Sequence, residues 1–141
     1  MPSINPARVL ADLNRLRDFG RFKTGVHRPS LSAEHNAACH WFAGRMAEAG
    51  LETNIDGIGN VYGVAPGAAR RLLTGSHLES QNQAGWLDGP LGVVYGLEAA
   101  RVINRDPAFA GRAVDVAVWF DEEGHFGNFL GSRSFVDGLA D

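Results

Sequence analysis

Val114-Asp115-Val116-Ala117-Val118-Trp119-Phe120 runs directly into Asp121-Glu122-Glu123-Gly124. Side chains alternate between the two faces of a strand, so a run apolar at nearly every position has both faces buried. The stretch therefore predicts a central strand, Val114 to Phe120, in a sheet covered on both sides. Where it leaves the core it delivers adjacent carboxylates. Neighbouring side chains at a strand end point in different directions, so one carboxylate can hold a cation while the other reaches a water or substrate beside it.

Outward from this strand, the chain alternates helical and strand patterns. Asn5 and Pro6 read as N-cap and first turn of a helix, with Val9, Leu10, Leu13 and Leu16 as its stripe and Gly20 as its stop. Arg21 to Leu31, with Gly25 and Pro29, reads as a loop. Ser32 caps a second helix carrying Ala38, Phe42, Met46 and Ala49 and ending at Gly50. Leu51 to Ile55, Gly57 to Ala65 and Arg71 to Gly75 read as strands, the second turning at Pro66-Gly67. Asp88-Gly89-Pro90 opens a helix lined by Val93, Leu97, Ala100 and Ile103. Helices interleaved with buried strands predict an α/β fold, a mixed sheet sandwiched by helices.

Composition narrows the function. With 141 residues, 45% hydrophobic and 21% charged, the chain has the make-up of an ordinary globular domain. A net charge of −3 without a basic run argues against nucleic acid and against an anionic membrane surface. Cys39 is the single cysteine, no signal-peptide pattern precedes the first helix, and no segment is long and apolar enough to span a bilayer. The expectation is a cytoplasmic protein.

Three polar clusters follow strands or precede a helix: Gly75-Ser76-His77-Leu78-Glu79, Trp86-Leu87-Asp88-Gly89, and the Glu122-Glu123 pair. Ligands gather at the carboxyl ends of strands in open α/β sheets. A neutral imidazole with carboxylates suits zinc, manganese or cobalt, and a carboxylate such as Asp88 can bridge two ions. Water activation also needs a base that is not a ligand, and Glu122 and Glu123 can divide those tasks. Glu79 is placed to orient His77 through its other ring nitrogen.

Singly, each cluster has a plainer reading as a satisfied polar residue, a turn or a solvated strand end. His35 and Cys39 share a helix face, but no third ligand accompanies them. Cys39 reads as a buried bystander. Gly57-Ile58-Gly59-Asn60-Val61-Tyr62-Gly63 has the wrong spacing for a dinucleotide loop, and no Gly-x-Ser-x-Gly elbow occurs.

Taken in order, Gly25-Val26-His27-Arg28, Asp56-Gly57-Ile58-Gly59-Asn60-Val61, Thr74-Gly75-Ser76-His77-Leu78, Leu87-Asp88-Gly89-Pro90-Leu91-Gly92-Val93, Asp121-Glu122-Glu123-Gly124 and Leu130-Gly131-Ser132-Arg133 resemble one family. It is the amidase branch of the M20 metallopeptidase-like superfamily, which holds N-carbamoyl-L-amino-acid hydrolases, β-ureidopropionases and allantoate amidohydrolases. The resemblance implies a zinc-peptidase-like catalytic domain with two divalent ions, zinc or manganese, with cobalt or nickel as substitutes. It implies His77 on the first ion, Asp88 bridging, Glu123 on the second, and Glu122 as general base and acid. The expected reaction is hydrolysis of a linear amide or carbamoyl C–N bond in a small N-substituted amino acid.

Two departures stand out. Glu79 replaces the family's usual Asp, and the segment between Gly124 and Gly131 is shorter than in typical members. The family's further His ligands and inserted dimerisation and lid domain have no counterpart in residues 1–141. The expectation is the N-terminal part of a dinuclear catalytic domain, a fragment or one piece of a split enzyme, with little activity alone. The full-length enzyme is expected to be a homodimer. The alternatives are an M20-type peptidase or deacylase, and a non-catalytic interaction module that retains motif remnants.

Overall fold

In the computed structural model, which describes residues 3–138, the first helix begins where Asn5 predicts it. Its side chain accepts from the Arg8 amide at 3.0 Å, and α1 spans Pro6–Asp18. The segment read as a loop contains a small hairpin, β1 (Arg21–Phe22) with β2 (Gly25–Val26). Strands of two residues leave no periodicity to read. Ser32 caps α2 (Ala33–Glu48) by accepting from the His35 amide at 3.1 Å.

Next come β3 (Glu52–Ile55), β4 (Val61–Val64) and β5 (Arg70–Ser76). The strand expected from Gly57 shortens to β4 for a local reason. One carboxylate oxygen of Asp56 accepts from the amides of Ile58, Gly59 and Asn60, at 3.1, 2.9 and 2.9 Å, which folds those residues into a turn. Helix α3 (Pro90–Ile103) leads through a short 3-10 turn to β6 (Arg112–Val118), and α4 (Leu130–Asp137) follows. Sequence reading missed α4. It is short, begins at a left-handed Phe129 and has no side-chain cap, so the usual start signals are missing.

The sheet order is β3-β4-β6-β5, antiparallel except for the parallel pair β5 and β6. Strand β6 is central as its composition demands, and every residue from Ala113 to Val118 is buried. It ends before Phe120 because Asn60 Oδ1 takes the Phe120 amide at 2.9 Å, while Trp119 N–H bonds the Ser76 carbonyl at 2.7 Å.

Val61, Val114, Val116 and Val118 meet α1, α2 and α3 in a core with Leu16, Phe42, Met46, Val93 and Leu97. Each of these large side chains contributes about 1.5–3 kcal/mol by leaving water. On the second face α4 lays Phe135 against Trp119 and Tyr62, with ring centroids 5.2 and 6.0 Å apart. Ion pairs staple the three inner helices at one end. Arg101 and Arg45 converge on the buried Asp12 at 2.7 and 2.9 Å, and Arg8 meets Glu98 at 2.8 Å. No helix among the described residues is long and apolar enough to cross a membrane.

Candidate metal centre

Parallel pairing of β5 with β6 sets Ser76 beside Val118, so His77 and Asp121-Glu122-Glu123 leave the sheet at the same carboxyl edge. Asp88 reaches them from the turn before α3. Gly89 makes that approach possible. Its φ is +81°, and a Cβ there would lie 2.7 Å from ring atoms of His77. The three residues expected as ligands are thereby brought together, with donor atoms of His77, Asp88 and Glu123 all within 4.8 Å of one another. Glu122 Oε2 lies 3.5 Å from His77 Nε2, and Asp88 Oδ1 lies 3.8 Å from it.

The imidazole shows what this arrangement can hold. His77 Nδ1 sits 3.1 Å from the Glu79 backbone carbonyl, an acceptor, so that nitrogen carries the proton. The lone pair of Nε2 then faces carboxylate oxygens. Like partial charges converge there, and a cation is their chemical complement. Oxygen and nitrogen ligands about 2.1 Å from a tetrahedral ion sit roughly 3.4 Å apart. The donor atoms here are wider, 3.8 Å between His77 and Asp88 and within 4.8 Å across the three residues, and the exposed side chain of Asp88 is free to move inward. The donor set fits a divalent metal.

Glu79 departs from its expected task. Its carboxylate lies 3.8 Å from His77 Nδ1, and its own main-chain oxygen takes the contact instead. The carboxylate turns the other way. Oε1 accepts from the amides of Glu122 and Glu123, holding the peptide from which both acids project. Burial pushes the Glu79 carboxyl up, opposed by the neighbouring His77 and by those amides.

Several site residues carried no readable sequence signal. Gln81 Nε2 donates to Glu123 Oε2 at 3.0 Å and to its carbonyl at 2.9 Å. Asp121, with φ +55°, is fully buried beneath the turn. It accepts from Ser30 Oγ at 2.7 Å and from the amides of His125, Phe126 and Gly127, each at 2.9 Å. Burial alone would raise its pKa. The Ser30 hydroxyl and those amides outweigh it and hold the carboxyl below its ordinary range. Only a structure shows that these partners, far apart in the chain, converge on one carboxylate.

His35 and Cys39 lie together behind the site, with Sγ 3.4 Å from Nε2, and both are buried. Burial pushes the Cys39 thiol up to about 12, so it is inert as a nucleophile. Trp86 packs under the Arg17 guanidinium at 5.1 Å. At the candidate metal centre the side chains of Asp88 and Glu122 are open to solvent. A separate cleft lined by Ala49, Ala65, Asn104, Phe109 and Ala113 lies by the start of β6 and holds none of these groups.

Fold and site together define an α/β domain with a candidate set of metal ligands on the carboxyl edge of a mixed sheet. Residues 60–140 match the model of peptidase family M28, and the chain belongs to that family. Its named relatives are amidohydrolases of the kind the motifs resemble. It is 36% identical to N-carbamoyl-L-amino acid amidohydrolase of Geobacillus stearothermophilus over 96% of this chain and 35% of that protein. It is 35% identical to allantoate deiminase of Arabidopsis thaliana over 91% of this chain and 26% of that protein. Among solved structures, a hydantoinase/carbamoylase family amidase from Burkholderia phymatum superposes with a TM-score of 0.91 at 51% identity, over 95% of this chain and 33% of that one. The chain thus spans about a third or less of these relatives' length.

Proposed function

We propose that this chain supplies part of the active centre of a metal-dependent amidohydrolase. The reading rests chiefly on the Nε2 lone pair of His77 aimed at Asp88 and Glu122, with Glu123 alongside. His77, Asp88 and Glu123 would hold the metal, with Asp88 placed to bridge a second ion. Zinc and manganese suit the mixed nitrogen and oxygen donors, with cobalt or nickel as substitutes. Such ions polarise a carbonyl and lower the pKa of water when bound.

The protein's own part is proton transfer and positioning. Glu122 is partly exposed, beside the imidazole, and held at its backbone by Glu79. It takes the proton from the attacking water and returns it to the leaving nitrogen. Gln81 holds Glu123 away from that task. The bond broken is a linear amide or carbamoyl C–N bond in a small N-substituted amino acid, a substrate class supported by the names of the relatives. The buried Cys39 suits a reducing, cytoplasmic setting.

The division of labour has a direct test. With Zn²⁺ or Mn²⁺ supplied, Glu122→Gln should keep metal affinity and lose the release of ammonia from N-carbamoyl amino acids, whereas Glu123→Gln should lose both. Metal loss in Glu122→Gln with retained affinity in Glu123→Gln would reverse the assignment. With three protein ligands, one of them the exposed Asp88, wild-type turnover should be low. Robust turnover by the 141-residue chain would contradict that part.

A further inference from the structure

The buried pair His35 and Cys39 has no place in the chemistry above, yet it adjoins the one carboxylate that grips the Glu122-Glu123 peptide. Helix α2 presents His35 inward, only 2% exposed. The Leu31 amide donates to its Nδ1 at 3.2 Å. That bond occupies the acceptor nitrogen, so the neutral ring carries its proton on Nε2. The Nε2–H faces Cys39 Sγ at 3.4 Å and Glu79 Oε2 at 3.7 Å. Glu79 Oε2 is buried and accepts no hydrogen bond among the described residues, while Oε1 is spent on the two amides. An oxygen in that state is costly, and His35 is the nearest histidine donor to it.

We propose that His35 is a positioning residue for the metal centre, its Nε2–H steadying the Glu79 carboxylate and thereby the peptide that carries Glu122 and Glu123. The support runs in one line, from the Leu31 amide through the imidazole to Glu79 and on to the two acids. It gives this chain's glutamate a use for its extra methylene. The side chain reaches past His77 and ends between His35 and the Glu122-Glu123 turn. Burial pushes the His35 pKa down to about 4, so the ring stays neutral and keeps a single tautomer at ordinary pH. Arg28 stands nearby as a fixed charge. It is fully buried, bonded through Nε to the Leu78 carbonyl at 2.6 Å and through Nη1 to the Leu16 and Phe19 carbonyls.

The inference rests on the assignment of Glu122 and Glu123 for its consequence, and its first readout is independent of metal. In amide NMR spectra of the metal-free chain, His35→Asn should shift the Glu122 and Glu123 N–H signals. Asn keeps an acceptor near the Nδ1 position for Leu31 but withdraws the donor from Glu79. His35→Gln, which places an N–H near the Nε2 position, should return both signals towards wild type. Zn²⁺ affinity by calorimetry should fall about tenfold in His35→Asn and recover in His35→Gln. Adding Glu79→Gln to His35→Asn should cost less than the two changes summed.

Unmoved Glu122 and Glu123 amides in a folded His35→Asn protein would overturn the proposal. So would equal effects of Asn and Gln, since a purely packing role makes no distinction by donor. A wild-type chain that binds no Zn²⁺ would sink the metal-centre reading, and the amide shifts would still decide the role of His35.

Discussion

The two sides of the candidate metal centre are built differently. Behind it, Asp121, Glu79 and His35 are almost completely excluded from water and engaged with backbone amides. In front, the Asp88 side chain is 78% exposed and that of Glu122 37%. The precision of the site is stored in the rear layer, which fixes main chain, while the forward side chains stay free to adjust to a cation. Exposed charges gain little from one another in water, whereas a buried carboxylate bonded to several amides is costly to disturb. Substitutions behind the site should therefore change folding and metal binding together. Those in front should change metal binding alone.

The largest effect should come from Asp121→Ala, which strands the Ser30 hydroxyl and three amides. A loss of about 3–5 kcal/mol in denaturant unfolding is expected. A loss below about 1 kcal/mol would erase the distinction between the layers. Gly89→Ala comes next. Its φ of +81° and the approach to the His77 ring predict a loss of about 1–3 kcal/mol together with weakened metal binding.

The rear layer should also show itself in pH dependence. His35 has a folded pKa of about 4, below its unfolded value of about 6.5, so the unfolded chain binds the extra proton. Its contribution is fully present above about pH 6.5 and is lost as pH falls towards 4, by about 3 kcal/mol in the limit. Unfolding curves of wild type and His35→Gln across that window should diverge. Parallel curves would contradict a buried neutral imidazole. Asp121 acts lower, with stability present above its unfolded pKa of about 3.9 and lost as pH drops through its depressed folded value. The smallest effect is expected from Gln81→Ala, whose bonds to Glu123 are exposed. Stability should shift by less than about 0.5 kcal/mol while metal affinity falls slightly.

The same contrast explains what could be read from the chain alone. The central strand was legible because an apolar run from Val114 leaves few alternatives, and the buried His77 and the forward residues Asp88, Glu122 and Glu123 stood in local patterns at element ends. The rear layer was hidden because its bonds join positions far apart in sequence: Ser30 with Asp121, and Glu79 with Glu122. Asp121 was read only as part of an acidic run. The carboxylate of Glu79 was assigned to His77, since sequence spacing shows a neighbour two residues away but not an amide 43 away. The Asp56 turn and α4 were missed for a related reason, one being set by side-chain bonds to backbone and the other lacking a cap.

The account depends above all on a cation held between His77, Asp88 and Glu123. Calorimetric titration of Zn²⁺ into wild type and Asp88→Ala tests this directly, because Asp88 is exposed and its removal should leave the fold intact. The expected result is saturable binding by the wild-type chain and at least a tenfold loss in Asp88→Ala, with unchanged thermal unfolding of the two metal-free proteins. Equal affinities, or no binding by wild type, would contradict it.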